Sequence, residues 1–134
     1  MKQHVLVAAS QPLAAAGLEA ILSAEDDFRV VRTIDDLDRL ELVVAETPAD
    51  VLVVDLDAPP HPADLLMRLK SRQPQLRIIA VGAADLASIR ALFDLGVDGY
   101  HLHPATPENL AAGVRQILLA LKFRQTGAAR AQSA

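Results

Sequence analysis

The sequence predicts an α/β fold built around a five-stranded parallel sheet. Two observations carry that prediction. Strand-like and helix-like segments alternate five times along the 134 residues, and three of the strand-like runs are almost continuously apolar. Such runs are typical of strands that are covered on both faces. Strands separated by helix-length segments form right-handed βαβ units, so the sheet should be parallel with helices on both sides.

The five predicted strands are short and mostly aliphatic or β-branched. They lie at residues 5–9, 29–33, 51–55, 77–81 and 99–102. The helices between and after them are predicted at residues 12–23, 35–46, 61–73, 84–95 and 106–123. Three boundaries support these limits: Thr106-Pro107-Glu108 reads as a helix start, Pro74 follows the third helix, and Gly96 is placed to end the fourth.

The first helix and the last eleven residues each leave two interpretations open. From Pro12 to Ala24 the only charged residue is Glu19, so this helix is apolar on nearly every side. Its outer alanines are either neutral surface or a small-residue face for a partner helix. Residues 124–134 are small and polar, with Arg124 and Arg130 as their charges. We expect a domain over 1–123, followed by a flexible tail or the start of a linker.

Composition excludes several classes of protein. Net charge is −4, the pI is about 5.4 and aromatic residues make up 3% of the chain. These values disfavour a general nucleic-acid-binding surface, so we expect no nucleic acid partner for this domain. The absence of cysteine excludes disulfides and thiolate chemistry. No apolar run approaches the ~18 residues of a membrane span, and no secretory pattern opens the chain. We therefore expect a cytoplasmic domain that does not contact a membrane.

Two strands end in very different residues. "HVLVAAS", residues 4–10, delivers Ala8, Ala9 and Ser10 to the carboxyl end of the first strand. "DVLVVDLDAP", residues 50–59, delivers Asp55 and Asp57 to the end of the third. Chemistry in parallel α/β proteins gathers at the carboxyl ends of central strands, so the difference bears on function.

Several segments together resemble the receiver domain of two-component response regulators. They are "HVLVAASQPLAAAGLEAIL", "ADVLVVDLDAP", "RIIAVGA" and "ALFDLGVDGYHLHPATPENLAAGVRQIL", which occur in the family's order across about residues 2–122. The resemblance is closest to receivers that precede a helix-turn-helix output domain. It implies a flavodoxin-like, three-layer sandwich with strand order 2-1-3-4-5. It also implies a role in signal transduction by phosphorelay, in transcription regulation, rather than an enzyme.

The resemblance places the family's functional positions on specific residues. The phosphorylatable aspartate falls on Asp55 and the switch aromatic on Tyr100. The two metal-binding acids fall on Ala9 and Ser10, the hydroxyl residue on Gly82 and the lysine on His103. Asp57 takes the place of a residue that gives the metal its backbone carbonyl. The family's cis Lys-Pro bond becomes His103-Pro104, which we expect to be cis as well.

The departures from the family pattern predict a receiver whose phosphorylation site is inactive. Phosphoryl transfer to a carboxylate needs Mg²⁺ and a cation to offset negative charge. One carboxylate, with the hydroxyl of Ser10, holds Mg²⁺ weakly at best, so we expect no resident cofactor. A neutral His103 does not replace an ammonium group.

Three functions remain open. They are a pseudo-receiver that acts through protein contacts, a functional phosphoacceptor using Asp55, and a small-molecule sensor using the vacated pocket. Metal binding is a further question, because His101 and His103 alternate on one strand and His-x-His pairs occur in zinc sites. Structural zinc needs about four ligands, and the other histidines, His4 and His61, lie on separate elements, so we expect no metal site.

The expected partner is a protein or a second copy of this chain. The surface would be the face of helix 4, strand 5 and helix 5, or helix 1. On helix 5, the predicted inward stripe is Leu110, Val114, Ile117 and Leu121, which leaves Ala111, Leu118 and Leu119 to be placed. Arg115 and Lys122 would stand at the rim of a dimer interface, opposite Asp85 and Asp94 of helix 4.

Overall fold

One parallel sheet organises the protein, with its strands in the order β2-β1-β3-β4-β5. A computed structural model describes residues 2–56, 63–82, 85–102 and 107–133. The strands of this described part are β1 Gln3–Ala8, β2 Phe28–Ile34, β3 Val51–Asp55, β4 Arg77–Gly82 and β5 Gly99–Leu102. All four strand pairs are parallel, and the register between β1 and β2 shifts between Val5 and Leu6. The predicted fold class and strand order are confirmed.

The helices lie on both faces of the sheet. The α-helices of the described residues are α1 Pro12–Ser23, α2 Leu40–Glu46, α3 Ala63–Arg72, α4 Leu86–Asp94 and α5 Pro107–Ser133. One core, between the sheet and α1 and α5, contains Leu18, Leu22, Leu110 and Val114. The other contains residues of α2, α3 and α4, such as Leu40, Leu66 and Leu92. The central strand β3 contributes alternate side chains to the two cores, which explains its continuous apolar run.

The predicted second helix is divided in two. A 3₁₀ turn covers Leu37–Arg39, and α2 starts only at Leu40. The Asp36 carboxylate accepts a hydrogen bond of 3.0 Å from the backbone N–H of Asp38. Capping by a short acidic side chain favours a tight turn at this point over a continuous α-helix.

The end of α4 confirms the role predicted for Gly96. Its φ of +108° is in the left-handed region, where a side chain is strained. Backbone bonds from Gly96 to Phe93 and from Val97 to Leu92 form the two closures of a Schellman motif. The aliphatic stem of Lys70 packs against Gly96, so a Cβ at this position would come within 2.8 Å of Lys70 Cγ. Gly96 is therefore required for both the turn and the packing.

The first and last helices differ in how they meet solvent. In α1, Ala15, Leu18 and Leu22 are buried, whereas Leu13 is 86% exposed. In α5, the predicted inward residues Leu110 and Val114 are buried, Ala111 is buried with them, and Leu119 is exposed. The helix continues to Ser133, past the predicted end at residue 123. Within the described helices, the combination of length and apolar character needed to cross a membrane does not occur.

Candidate functional site at the carboxyl edge of the sheet

The strand ends of β1, β3, β4 and β5 form the carboxyl edge of the sheet. Ala8 pairs with Val54, so the next residues, Ala9 and Asp55, stand side by side on neighbouring strands. Strands in a sheet lie about 4.8 Å apart, so these two residues are near neighbours. On the other side of β3, Asp55 pairs with Val81 of β4, and Gly82 is the next residue of β4. The structure thus places Ala9, Asp55 and Gly82 at the same edge of the sheet.

Asp55 is the buried charged residue of the described chain, with 9% of its surface exposed. It ends β3, and the backbone N–H of Leu56 donates to the Val81 carbonyl at 2.9 Å. The backbone around this carboxylate is therefore held in the sheet, while its side chain is largely removed from water. Burying a carboxylate costs free energy unless charged or polar groups stabilise it, which makes its neighbours decisive for its chemistry.

Among the described residues, Ala9 and Gly82 beside Asp55 carry no ionisable or hydrogen-bonding side chain. Ala9 is fully buried and its backbone N–H donates to the Ile34 carbonyl at 3.0 Å, which fixes its position beside Asp55. Gly82 is buried and has no side chain to donate a hydrogen bond. Ser10 is exposed. Asp57, His103 and the His103-Pro104 bond lie outside the described residues.

A Mg²⁺ ion does not fit the groups described at this edge. Mg²⁺ is held by oxygen ligands in octahedral geometry, commonly with one or two protein carboxylates. The methyl group of Ala9 stands where a second carboxylate would have to lie, close beside Asp55. Within the described ranges, three or more His, Cys, Asp or Glu side chains are nowhere grouped as a metal ion would require.

Strand β5 places its alternate side chains in different layers. Tyr100 is half-buried and packs against the core under α2, α3 and α4. His101 points to the other face, where its imidazole lies against Gly113 of α5. Because alternate residues of a strand face opposite sides of the sheet, Tyr100 and His101 pack in different layers of the protein.

The fold agrees with the result of sequence comparison. Residues 5–115 match the family model of the response regulator receiver domain. The chain belongs to the receiver domain family. Receiver domains are modules of two-component signal transduction and phosphorelay, so the signalling role expected from the resemblance is confirmed at this level.

Named relatives of this receiver domain are response regulators. The chain is 28% identical over 118 residues to a nitrate/nitrite response regulator protein homolog of Haemophilus influenzae, and covers 57% of that relative's length. It superimposes with a TM-score of 0.79 on a LuxR-family two-component response regulator from Aurantimonas sp. SI85-9A1. That pair is 20% identical, with 90% of this chain and 87% of the other covered.

A third relative overturns the expected partners. RcsB from Salmonella enterica serovar Typhimurium, solved bound to promoter rprA with the phosphomimetic BeF₃⁻, gives a TM-score of 0.76. It is 24% identical, and 87% of this chain and 99% of that chain are covered. The expectation that nucleic acid is excluded as a partner is therefore wrong, because response regulators of this fold occur in complexes with DNA.

The charge pairing predicted for Arg115 is also wrong. Arg115 binds Asp27, with Nε 2.6 Å and a terminal nitrogen 2.9 Å from the two carboxylate oxygens. Asp85 caps α4 by accepting the Ser88 backbone N–H at 2.8 Å, and this bond, with a further one from the Ser88 side chain, lowers the pKa of Asp85. Sequence reasoning missed the Arg115 contact because the two partners lie 88 residues apart. The acidic run Glu25-Asp26-Asp27 was the available signal.

Proposed function

We propose that this receiver regulates without aspartyl phosphorylation, as a protein-interaction module in two-component signalling and transcription control rather than as an enzyme. The observation that carries the proposal is Ala9, buried in register beside Asp55. An acid is needed there to hold Mg²⁺ against the acceptor carboxylate. The methyl group supplies neither charge nor an oxygen ligand.

The chemistry of phosphoryl transfer supports this assignment. The transferring group carries spread negative charge, and catalysis consists almost entirely of positioning and neutralising it. Asp55 keeps a nucleophile, but Gly82 has no hydroxyl to bind a phosphoryl oxygen. His103 replaces the cation that the family supplies. Each loss acts on the transition state, so their combination should reduce the phosphorylation rate far more than any one of them.

The relatives indicate the setting in which such a domain works. A nitrate/nitrite response regulator homolog and a DNA-bound regulator both contain the fold. We propose that the domain serves a transcription regulator, whose DNA contacts are made by an output domain. A cytoplasmic location, the domain limits at 1–123 and the switch position at Tyr100 stay predictions.

Phosphorylation by a small acyl-phosphate donor tests the proposal. The wild-type chain, incubated with acetyl phosphate and Mg²⁺, should gain no phosphoryl group by intact mass spectrometry. A variant that restores the family pattern, Ala9→Asp with Ser10→Asp, Gly82→Thr and His103→Lys, should gain one. Adding Asp55→Asn to the restored variant should remove that gain, which assigns it to Asp55.

The controls separate the competing functions. An active receiver treated in parallel shows that the donor works, and circular dichroism shows that the restored variant is folded. Phosphorylation of the wild-type chain, lost in Asp55→Asn, would overturn the proposal in favour of a functional phosphoacceptor. A thermal-shift screen of small metabolites tests the remaining function, a sensor that uses the vacated pocket.

A further inference from the structure

Arg115 of α5 makes a cluster of contacts with the turn between α1 and β2. Its guanidinium pairs with Asp27 through two hydrogen bonds and with Glu25 at 3.3 Å. Its Cζ lies 5.6 Å from the centre of the Phe28 ring, within the range of a cation–π contact. A bidentate guanidinium–carboxylate pair is geometrically specific, since both partners are planar. One side chain thus ties α5 to the start of β2.

The turn that receives Arg115 is itself fixed to the sheet. The Asp27 carbonyl accepts the backbone N–H of Gln3, at the start of β1, at 2.9 Å. Phe28 is buried in the core between the sheet and α1. Arg115 therefore binds a turn that is held by a hydrogen bond to β1 and by the burial of Phe28. This turn lies at the amino edge of the sheet, opposite the carboxyl edge where Asp55 lies.

A second contact holds α5 against β5. Ile117 of α5 fills the space above Gly99, where a Cβ would overlap its Cγ2 atom. In the opposite direction His101 of β5 fills the space at Gly113, where a Cβ would come within 2.5 Å of Nδ1. Each element thus supplies one side chain and one glycine, and the packing is reciprocal. This contact fixes the side of α5 that the Arg115 cluster does not.

Arg115 lies well before the end of α5, so its contacts bear on the direction of a long stretch of this helix. Eighteen residues follow it in the helix, so the segment from Arg115 to Ser133 extends about 27 Å. Any loosening of α5 near Arg115 would change the direction of this segment. The side chains in these contacts are 36–45% exposed, so solvent ions and competing charges reach them.

We propose that Arg115 is a latch that holds residues 116–122 of α5 on the domain. Breaking its contacts with Asp27 and Glu25 releases this part of α5 locally while the sheet stays folded. The latch lies at the amino edge and uses no group of the carboxyl edge. It therefore goes beyond the proposed function, and it holds whether or not Asp55 accepts a phosphoryl group.

Amide hydrogen exchange of the complete chain, read residue by residue by NMR, tests the latch. Arg115→Met keeps the aliphatic stem over Phe28 but removes the charge. It should raise exchange of the amides at 116–122 about fivefold, the upper range for an exposed ion pair. Amides of β1 and β3 should keep their wild-type rates. Arg115→Lys keeps the charge without the planar fork and should give an intermediate increase.

Two comparisons make the result specific to the latch. Asp27→Asn should reproduce most of the effect of Arg115→Met, since Glu25 stays as a second partner, and the double variant should exchange at the rate of Arg115→Met alone, because both changes break one shared interaction. About 1 M salt should raise wild-type exchange at 116–122 towards the variant rates. Arg90→Met, which removes an exposed arginine from α4, is the matched control and should change none of these amides.

Three results would overturn the latch. The first is unchanged exchange at 116–122 in Arg115→Met. The second is an equal increase in β1, β3 and α5, which would mean that only global stability had fallen. The third is additive effects of Arg115→Met and Asp27→Asn. No phosphoryl donor is present in these experiments, so their failure is separate from a failure of the proposed function.

Discussion

The two edges of the sheet differ in what their charged groups do. At the amino edge, Asp98 accepts hydrogen bonds from Lys70 Nζ at 2.7 Å and the Ile78 backbone at 2.8 Å. Asp50 accepts the His4 backbone N–H at 2.8 Å, and Asp27 binds Arg115. At the carboxyl edge, Asp55 stands beside the methyl group of Ala9. Within the described residues, the acids Asp27, Asp50 and Asp98 thus hold the starts of the strands at the edge opposite the phosphoacceptor position.

This difference explains how a receiver loses its chemical groups without losing its fold. Hydrogen bonds to Asp50 and Asp98 hold the starts of the strands, and the two apolar cores hold the strand interiors. Residues at the carboxyl edge can then be replaced without loss of the fold, because catalytic groups normally lower the stability of a protein rather than raise it. Replacing an acid by Ala9 also removes a like charge from beside Asp55.

The largest expected effect is at the amino edge. Asp98→Ala should lower the free energy of unfolding by about 3 kcal/mol, because Asp98 is 13% exposed and its loss leaves Lys70 and the Ile78 N–H without this acceptor. Urea denaturation measures the change. Asp94→Ala removes an exposed acid from α4 and should stay within about 0.5 kcal/mol of wild type. Equal effects of the two variants would contradict the importance given to this edge.

Glycine replacements give the next effect and differ in sign. Gly99→Ala should destabilise the protein by about 2 kcal/mol, since the new methyl group overlaps Ile117. Gly17→Ala, in an exposed part of α1 with nothing within 4 Å of the new Cβ, should stabilise it by about 0.5–1 kcal/mol. Thermal unfolding of both variants checks the prediction. A stabilising Gly99→Ala would mean that β5 and α5 are not closely packed.

Restoring two acids at the carboxyl edge should have a smaller effect on stability, and this effect should depend on Mg²⁺. Ala9→Asp with Ser10→Asp should destabilise the metal-free protein, because it brings like charges towards a buried carboxylate. Mg²⁺ at about tenfold its dissociation constant should then return about 1.4 kcal/mol. The same Mg²⁺ concentration should leave the melting temperature of the wild-type chain unchanged. A dissociation constant below the millimolar range for wild type, by calorimetry, would contradict the weak Mg²⁺ binding expected from one carboxylate.

The sequence predicted the parts of this molecule that depend on local pattern. Continuous apolar runs located the strands, and Gly96 located the end of α4. The family pattern placed Asp55, Ala9 and Gly82 at one edge. The start of α2 was missed because the turn depends on one side-chain bond of Asp36. The continuation of α5 was missed because small polar residues were interpreted as a linker, although alanine favours helix.

Contacts between charged residues that lie far apart in the chain could not be predicted from the sequence. Arg115 had several acids within the same chain as possible partners, and exposed charges carry no periodic signal that selects one. The selection is made by the tertiary position of the turn before β2, which the Gln3 backbone and the burial of Phe28 fix. The same argument applies to Asp98, whose partners come from α3 and β4.

The smallest expected effect is a pH dependence of the latch at the amino edge. The hydrogen bond from Arg115 holds the pKa of Asp27 below its ordinary value, and Asp27 in turn raises the pKa of Arg115. A carboxyl group whose pKa is lowered by folding adds stability above its unfolded pKa of about 3.9, and that stability is lost as pH falls through the folded value. The difference in urea midpoint between wild type and Arg115→Met should therefore be constant near neutral pH and shrink in acid, below about pH 4. Asp26→Asn, at the exposed neighbouring acid, should keep the wild-type profile. A difference that stays constant into acid would show that Arg115 stabilises α5 through a contact that does not titrate, such as its cation–π contact with Phe28, and not through Asp27.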